Sequence, residues 1–262
     1  MEEIPGHDIL RLRADNPGMF SLSGTNTWVV GRDPAWIVDP GPALPEHVAA
    51  VLAAVEARGG AGGIVLTHDH ADHSEAVGQV AAATGAPVHA ARFPADAGLA
   101  DGARIGPFTA LRAPGHAPDH YVFVAGPVVF TGDVVLGEGS VFIWPDPGAL
   151  AGYLAVLERL RALPLDLLAP GHGPPVTDPQ AKLTQYLDHR RDRERRVLEG
   201  LDAGLRTVDE LLDEVWSEVP AALRPAAAVT LAAHLDKLAD EGRLPPDVER
   251  PVIPDLQDQP RP

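Results

Sequence analysis

The chain has 262 residues, 45% of them hydrophobic, enough for one sizeable core and a small second unit. It contains no cysteine, which excludes a disulfide framework and any thiolate ligand, so a bound metal must be held by nitrogen and oxygen. The formal charge of -16 sets nucleic acid at a disadvantage as a partner; up to residue 180 there are 9 Arg and no Lys against 20 acidic residues, and only residues 181–200 carry a net positive charge. No run is apolar enough for a bilayer span, and Met1 to Gly6 lacks the basic and apolar regions of a signal peptide, so a cytoplasmic protein without a membrane partner is expected.

Short strands are expected at 9–13, 26–30 and 35–39, separated by turns such as Asn16-Pro17-Gly18. The third ends in Asp39-Pro40-Gly41, where Asp39 either caps its own turn or accepts a hydrogen bond from a ligand histidine. Glu46 to Arg58 reads as a helix with Val48, Val51, Leu52 and Val55 on one face. The buried strand Ile64 to Leu66 leads into Thr67-His68-Asp69-His70-Ala71-Asp72-His73, three imidazoles and two carboxylates within six positions. These side chains bind zinc, iron or manganese. A helix from His73 to Ala83 and a strand from Pro87 to Ala90 follow; His89 reads as a packed or surface residue.

Strands near 108–113, 120–124 and 128–132 come next. Three of the apolar runs end on a ligand-type side chain: His116 after Phe108 to Arg112, Asp133 after Val128 to Phe130, and His172 after Leu167 to Ala169. Strand ends converging on one edge would build a metal site. Between Asp133 and the helix Leu150 to Leu163 runs an apolar, proline-broken stretch; Phe142 and Trp144 in it read as core residues, with the wall of a substrate pocket as the other reading. Helices among strands in both halves suggest sheets covered by helices in layers.

Composition shifts near residue 179. Pro179 to Leu201 is a long helix whose Arg190, Arg191, Arg193, Arg195 and Arg196 read as a solvated face paired to Asp192 and Glu194. Thr207 and Glu210 form a capping-box pattern, and a further helix spans about 225 to 241, with His234 a packing residue. Domains are therefore expected at 1–178 and 203–250, joined by a helix at 179–202, with a disordered tail at 251–262. The apolar helix faces of the second unit must bury against the first domain or a second copy, and a homodimer is expected.

His68, His70, Asp72, His73, His116, Asp133 and His172 are too many ligands for one four-coordinate ion and suit two metals if one carboxylate bridges. This set, with Pro114-Gly115-His116, Gly132-Asp133, Gly171-His172 and the upstream Val38-Asp39-Pro40-Gly41, resembles the metallo-beta-lactamase superfamily over roughly residues 10–178. Gly24-Thr25-Asn26-Thr27 and Tyr186-x-x-His189-Arg190-x-x-Arg193-Glu194 narrow the resemblance to the beta-lactamase-like protein two group. The resemblance implies an α/β fold, a four-layer αβ/βα sandwich, followed by a small, mainly helical, winged-helix-like domain. It assigns His68, His70 and His116 to one metal, Asp72, His73 and His172 to the other and Asp133 to a bridge, and it favours Asp39 as a partner of a ligand histidine. Two zinc ions are expected, with iron or manganese as alternatives. The function implied is a hydrolase using metal-bound hydroxide, with Asp72 and Asp133 as catalytic carboxylates, on an ester or thioester of a small molecule or acyl carrier. The alternatives are a phosphodiesterase or single-strand endoribonuclease, which the acidic charge disfavours, a mono-iron persulfide dioxygenase, and a sensor whose second unit binds DNA or dimerises.

Overall fold

The computed structural model describes residues 1–92, 95 and 97–253. Its first sheet is ordered along the chain: β1 (Glu2–Glu3), β2 (Ile9–Arg13), β3 (Asn26–Val30), β4 (Ala35–Val38), β5 (Ala61–Val65), β6 (Val88–Ala90) and β7 (Ala97–Gly98). It is antiparallel up to β4 and parallel from β4 to β7. The crossovers carry α1 (Pro45–Glu56), and then α2 (Ala71–Ser74) and α3 (Val77–Thr84). The second sheet runs β12 (Leu167–Pro170), β11 (Val128–Gly132), β10 (Tyr121–Ala125), β9 (Phe108–Arg112) and β8 (Arg104–Ile105), with only the β11–β12 pair parallel. The crossover between β11 and β12 carries α4 (Ala149–Arg161).

Period-two alternation decides what each face meets. Trp28 and Val30 of β3 and Val38 of β4 face inward, where they meet Phe123, Val128, Phe130, Leu167 and Ala169 of the other sheet. Val29 and Ile37 face outward under α1 and α3, through Val48, Val51, Val55, Val77 and Val80. On the other side, Val122, Val129 and Leu168 lie under Leu150, Tyr153, Leu157 and Leu160 of α4 and Leu183 and Leu187 of α5 (Pro179–Asp202). The order of layers is thus helix, sheet, sheet, helix, as expected.

The helix read from His73 to Ala83 is in fact broken at Glu75 and Ala76. The Gly41 N–H donates to His73 O, and the Ala76 N–H donates to Gly41 O, both at 3.0 Å. Two backbone groups that would continue the helical ladder are thereby diverted to the loop after β4. The short strands β1, β7 and β8 carry too few residues for a periodic signal.

Beyond α5 lie α6 (Val208–Val215) and α7 (Arg224–Asp240). Thr207 and Glu210 form the reciprocal capping box at the start of α6. Leu211, Leu212, Val215, Leu231, Leu235 and Leu238 bury against Val197 and Leu201 of α5, and Ala233 joins the core under α4. These faces are covered within one chain, so the argument for a second copy from unpartnered apolar surface no longer holds. Of the tail expected at 251–262, residues 251–253 form no helix or strand and 254–262 lie outside the described residues. No helix among the described residues is long and apolar enough to cross a membrane.

The arginine run is a solvated face only in part: Arg191 and Arg195 are exposed, and Arg190 and Arg193 are not. Arg190 and Arg193 are 2% and 6% exposed, Arg190 over the Tyr153 ring and Arg193 over the Trp216 ring. Arg193 also donates to Val215 O and pairs with Glu218. Arg191 pairs with Glu158, Arg195 with Asp192 and Glu199, and Arg196 donates to Glu214 O. Glu194 pairs with Lys237 and Arg243 of the C-terminal unit, not within its own helix.

His234 is fully buried, with its ring 6.1 Å from that of Trp216. Burial, reinforced by Arg190 and Lys237, pushes its pKa down to about 3. An unfolded imidazole titrates near 6.5, so between these values the unfolded chain takes up a proton that the folded chain excludes. Stability then falls as pH drops below about 6.5, by about 2 kcal/mol at pH 5 from this group. His234→Leu should therefore flatten the fall in Tm between pH 7 and 5. Parallel Tm–pH curves for parent and variant would show that His234 does not carry it.

Candidate metal centre

All seven predicted ligand residues come together at one edge of the sandwich. His68 and His70 follow β5, His73 lies on α2 with Asp72, His116 follows β9, Asp133 follows β11 and His172 follows β12. Three groups place their ligand atoms mutually within 4.8 Å: His68, His70 and His116; His68, His73 and Asp133; Asp72, His73 and His172. His70 Nδ1 lies 3.0 Å from His68 Nε2 and 3.2 Å from His116 Nε2. His172 Nε2 lies 3.3 Å from Asp72 Oδ2, from Asp133 Oδ2 and from His73 Nε2. Ligand atoms around a tetrahedral ion with bonds of about 2.0–2.1 Å stand about 3.3 Å apart, so this donor set fits such ions. Asp133 stands between the groups, Oδ2 at 3.6 Å from His116 Nε2 and Oδ1 at 3.6 Å from His73 Nε2. Oδ1 is buried and has no hydrogen-bond partner among the described residues.

Two glycines make this approach feasible. A Cβ on Gly171 would stand 2.5 Å from Asp133 Oδ1 and 2.6 Å from the His73 ring. Gly132, at φ +47°, would bring its Cβ to 2.6 Å from Thr67 Oγ1. The Gly-Asp and Gly-His pairs of the sequence are therefore a packing requirement of the cluster.

Hydrogen bonds set which ring nitrogen faces the centre. Asp39, at φ 51° and 1% exposed, accepts from Thr67 N at 2.8 Å and from Thr67 Oγ1 at 2.7 Å. Having given its proton to Asp39, the Thr67 hydroxyl can only accept from His68 Nδ1, 3.0 Å away. That leaves the His68 Nε2 lone pair toward the cluster. His73 Nδ1 donates to Asp39 Oδ2 at 2.9 Å, which turns its Nε2 toward the cluster. Of the two readings of Asp39, the structure supports the partner of a ligand histidine.

Three participants carried no assigned role in the sequence. The Thr25 hydroxyl donates to Asp72 Oδ2 at 2.8 Å and is itself held by Asn16, whose Nδ2 donates to Thr25 Oγ1 and whose Oδ1 accepts from Thr25 N, each at 2.9 Å. His120 stacks on His68 with ring centroids 4.6 Å apart, yet its Nε2 accepts the Asp133 N–H at 3.1 Å and so is not free to bind a cation. The His116-x-x-x-His120 spacing was the visible signal for it. His189 and His234 lie in the C-terminal part and His89 on β6, none of them among these groups.

Burial, with the neighbouring His73 and His70, drives His68 well below its ordinary pKa, and burial takes His116 down to about 3 against the pull of Asp133. Burial acts on His73 too, but Asp72, Asp133 and Asp39 outweigh it and push the pKa up to about 10. Asp133, disfavoured as an anion by burial, is nevertheless held well below the usual carboxylate range by His172 and His73. His68 and His116 thus present neutral imidazoles, whereas His73 keeps a proton that a divalent cation would have to displace.

A model described as "Metallo-beta-lactamase superfamily" matches residues 92–172, and one described as "Beta-lactamase associated winged helix domain" matches 207–245. The chain is 30% identical over 267 residues to "Beta-lactamase-like protein 2 homolog" of Drosophila melanogaster, covering 90% of this chain and 89% of that one. It is 33% identical over 246 residues to "Atrochrysone carboxyl ACP thioesterase" of Aspergillus chevalieri, covering 81% and 74%. A solved metallo-beta-lactamase family protein of Thermus thermophilus superposes with a TM-score of 0.71 at 22% identity, over 90% of this chain and 94% of that one. The fold and the relatives define a metallo-hydrolase. The chain belongs to the metallo-beta-lactamase superfamily, in the branch that ends in this winged-helix domain.

Proposed function

We propose that the protein is a di-zinc hydrolase of acyl bonds, an ester or thioester of a small molecule or acyl carrier. His68, His70 and His116 would hold one ion, Asp72, His73 and His172 the other, and Asp133 both; the three overlapping donor groups support this division. Bound there, two divalent cations would supply Lewis acidity to a scissile carbonyl and acidify a water. The chain's own part is orientation. The Thr25 hydroxyl binds Asp72 through Oδ2, and among the described residues Asp133 Oδ1 has no hydrogen-bond partner, so these carboxylates are placed to take a water's proton.

The observation that carries the acyl reading is the wall beside His116. The Phe142 ring lies 5.2 Å from His116 and 5.7 Å from Phe20, and Met19 and Phe20 are 57% and 54% exposed. Phe142 and Trp144 are half-buried, which fits the pocket-wall reading better than the core reading. An apolar wall receives an acyl chain and gives a phosphate nothing to bond. The α5 arginines, which the endoribonuclease alternative needs, are already paired. The thioesterase named for the Aspergillus chevalieri relative agrees with this choice.

Metal analysis of protein purified without chelator should return two zinc equivalents, and a panel of thioesters, lactones, phosphodiesters and short RNAs should give fastest turnover on an acyl substrate. One iron and no second metal would sink the binuclear reading in favour of an oxygenase. RNA cleavage with steep salt dependence and no acyl turnover would replace the acyl reading.

A further inference from the structure

Phe142 sits in an irregular segment tied to the His116 loop by Trp144 N, which donates to Gly115 O at 2.8 Å, and otherwise held by the C-terminal helices. The Tyr186 hydroxyl accepts from Leu136 N and donates to Gly139 O, each at 3.1 Å. Arg190 donates to Ser140 Oγ at 2.9 Å and to Val141 O. Thr230 Oγ1 on α7 accepts from Ile143 N at 3.2 Å while donating to Ala226 O, one turn back, at 3.2 Å. Among the described residues, the polar ties of Ser140, Val141 and Ile143 all run to Arg190 and Thr230. Both anchors are buried, at 2% and 3% exposure, as is Ile143 at 0%, so water cannot replace them.

We propose that Thr230 and Arg190 are positioning residues for the acyl group of the substrate. By pinning the backbone on both sides of Phe142 they fix its ring beside His116, and so make the winged-helix unit part of the specificity wall. This rests on the acyl reading above. The substrates favoured are those with a long or aromatic acyl part that reaches Phe142, over short ones that do not.

The test uses the full-length, metal-loaded protein with acetyl and decanoyl thioesters of N-acetylcysteamine. Phe142→Ala should lower the decanoyl-to-acetyl ratio of kcat/KM on the order of tenfold, mainly through KM. Thr230→Val, which keeps the side-chain shape and removes the hydroxyl, should move the ratio the same way, and Thr230→Ser should restore it. The Phe142→Ala/Thr230→Val double variant should be no worse than Phe142→Ala alone, because both act on one wall. Amide exchange at Ile143 should quicken on the order of tenfold in Thr230→Val and return to the parent rate in Thr230→Ser. A change equal for both substrates, additive losses, or unaltered exchange at Ile143 would overturn the proposal. If the parent hydrolyses no thioester, the acyl reading falls with it, while the exchange measurement still decides whether Thr230 holds the segment.

Discussion

Asp133→Asn should lower turnover on the order of a thousandfold or more, with the fold intact. The carboxylate stands between the donor groups, its Oδ2 3.3 Å from His172 Nε2 and 3.6 Å from His116 Nε2. An amide offers one weak acceptor and no charge there, and cannot serve two cations. Metal content should fall below two equivalents, while far-UV circular dichroism stays that of the parent, because the packed faces of the sheets do not involve Asp133. His68→Ala should have a similar effect on turnover. Near-normal rates with two ions bound would show that the replaced residue is not a ligand.

Asp39 should matter nearly as much without touching a metal. Its carboxylate collects the Thr67 N–H, the Thr67 hydroxyl and His73 Nδ1–H at 2.7 to 2.9 Å in a buried pocket. Asn tolerates the positive φ, so Asp39→Asn isolates the loss of charge and of one acceptor. Metal affinity, read by competition with a chelating dye, should weaken about 10- to 100-fold. Asp39→Ala leaves all three donors unpaired and should in addition cost on the order of 3 kcal/mol by urea unfolding. An unchanged affinity in Asp39→Asn would mean that His73 does not depend on this bond for its orientation.

The cluster of donor side chains was legible because His68, His116, Asp133 and His172 each follow an apolar run, and a strand end is the one place where a short period-two run can deliver a side chain to a shared edge. Layering was legible from helices lying among strands in both halves, and the number four came from the family resemblance; Val128, Val129 and Phe130, apolar on both faces, are covered on both. Thr25 was not legible, since a threonine before a strand is ordinary until Asp72, 47 positions away, is seen to accept its proton. Nor were Arg190 and Arg193. Burying a guanidinium requires a carbonyl or carboxylate from a distant segment, and Val141, Val215 and Glu218 supply them. The break at Glu75 and Ala76 depends on Gly41, which no local helix pattern contains.

The division of the cluster between the two sheets has a consequence for how the protein is put together. His68, His70, Asp72 and His73 follow a strand of the first sheet, and His116, Asp133 and His172 follow strands of the second, so each sheet makes one half of the centre. Neither half owns a closed donor set for both ions. A nascent chain lacking His172 would hold an incomplete pair of sites, and capture of both cations would come only once the two sheets meet. The ions would then act as rivets across the seam. Their free concentration would set how firmly the halves stay docked, through the dependence of stability on ligand that any group bound only by the native state imposes.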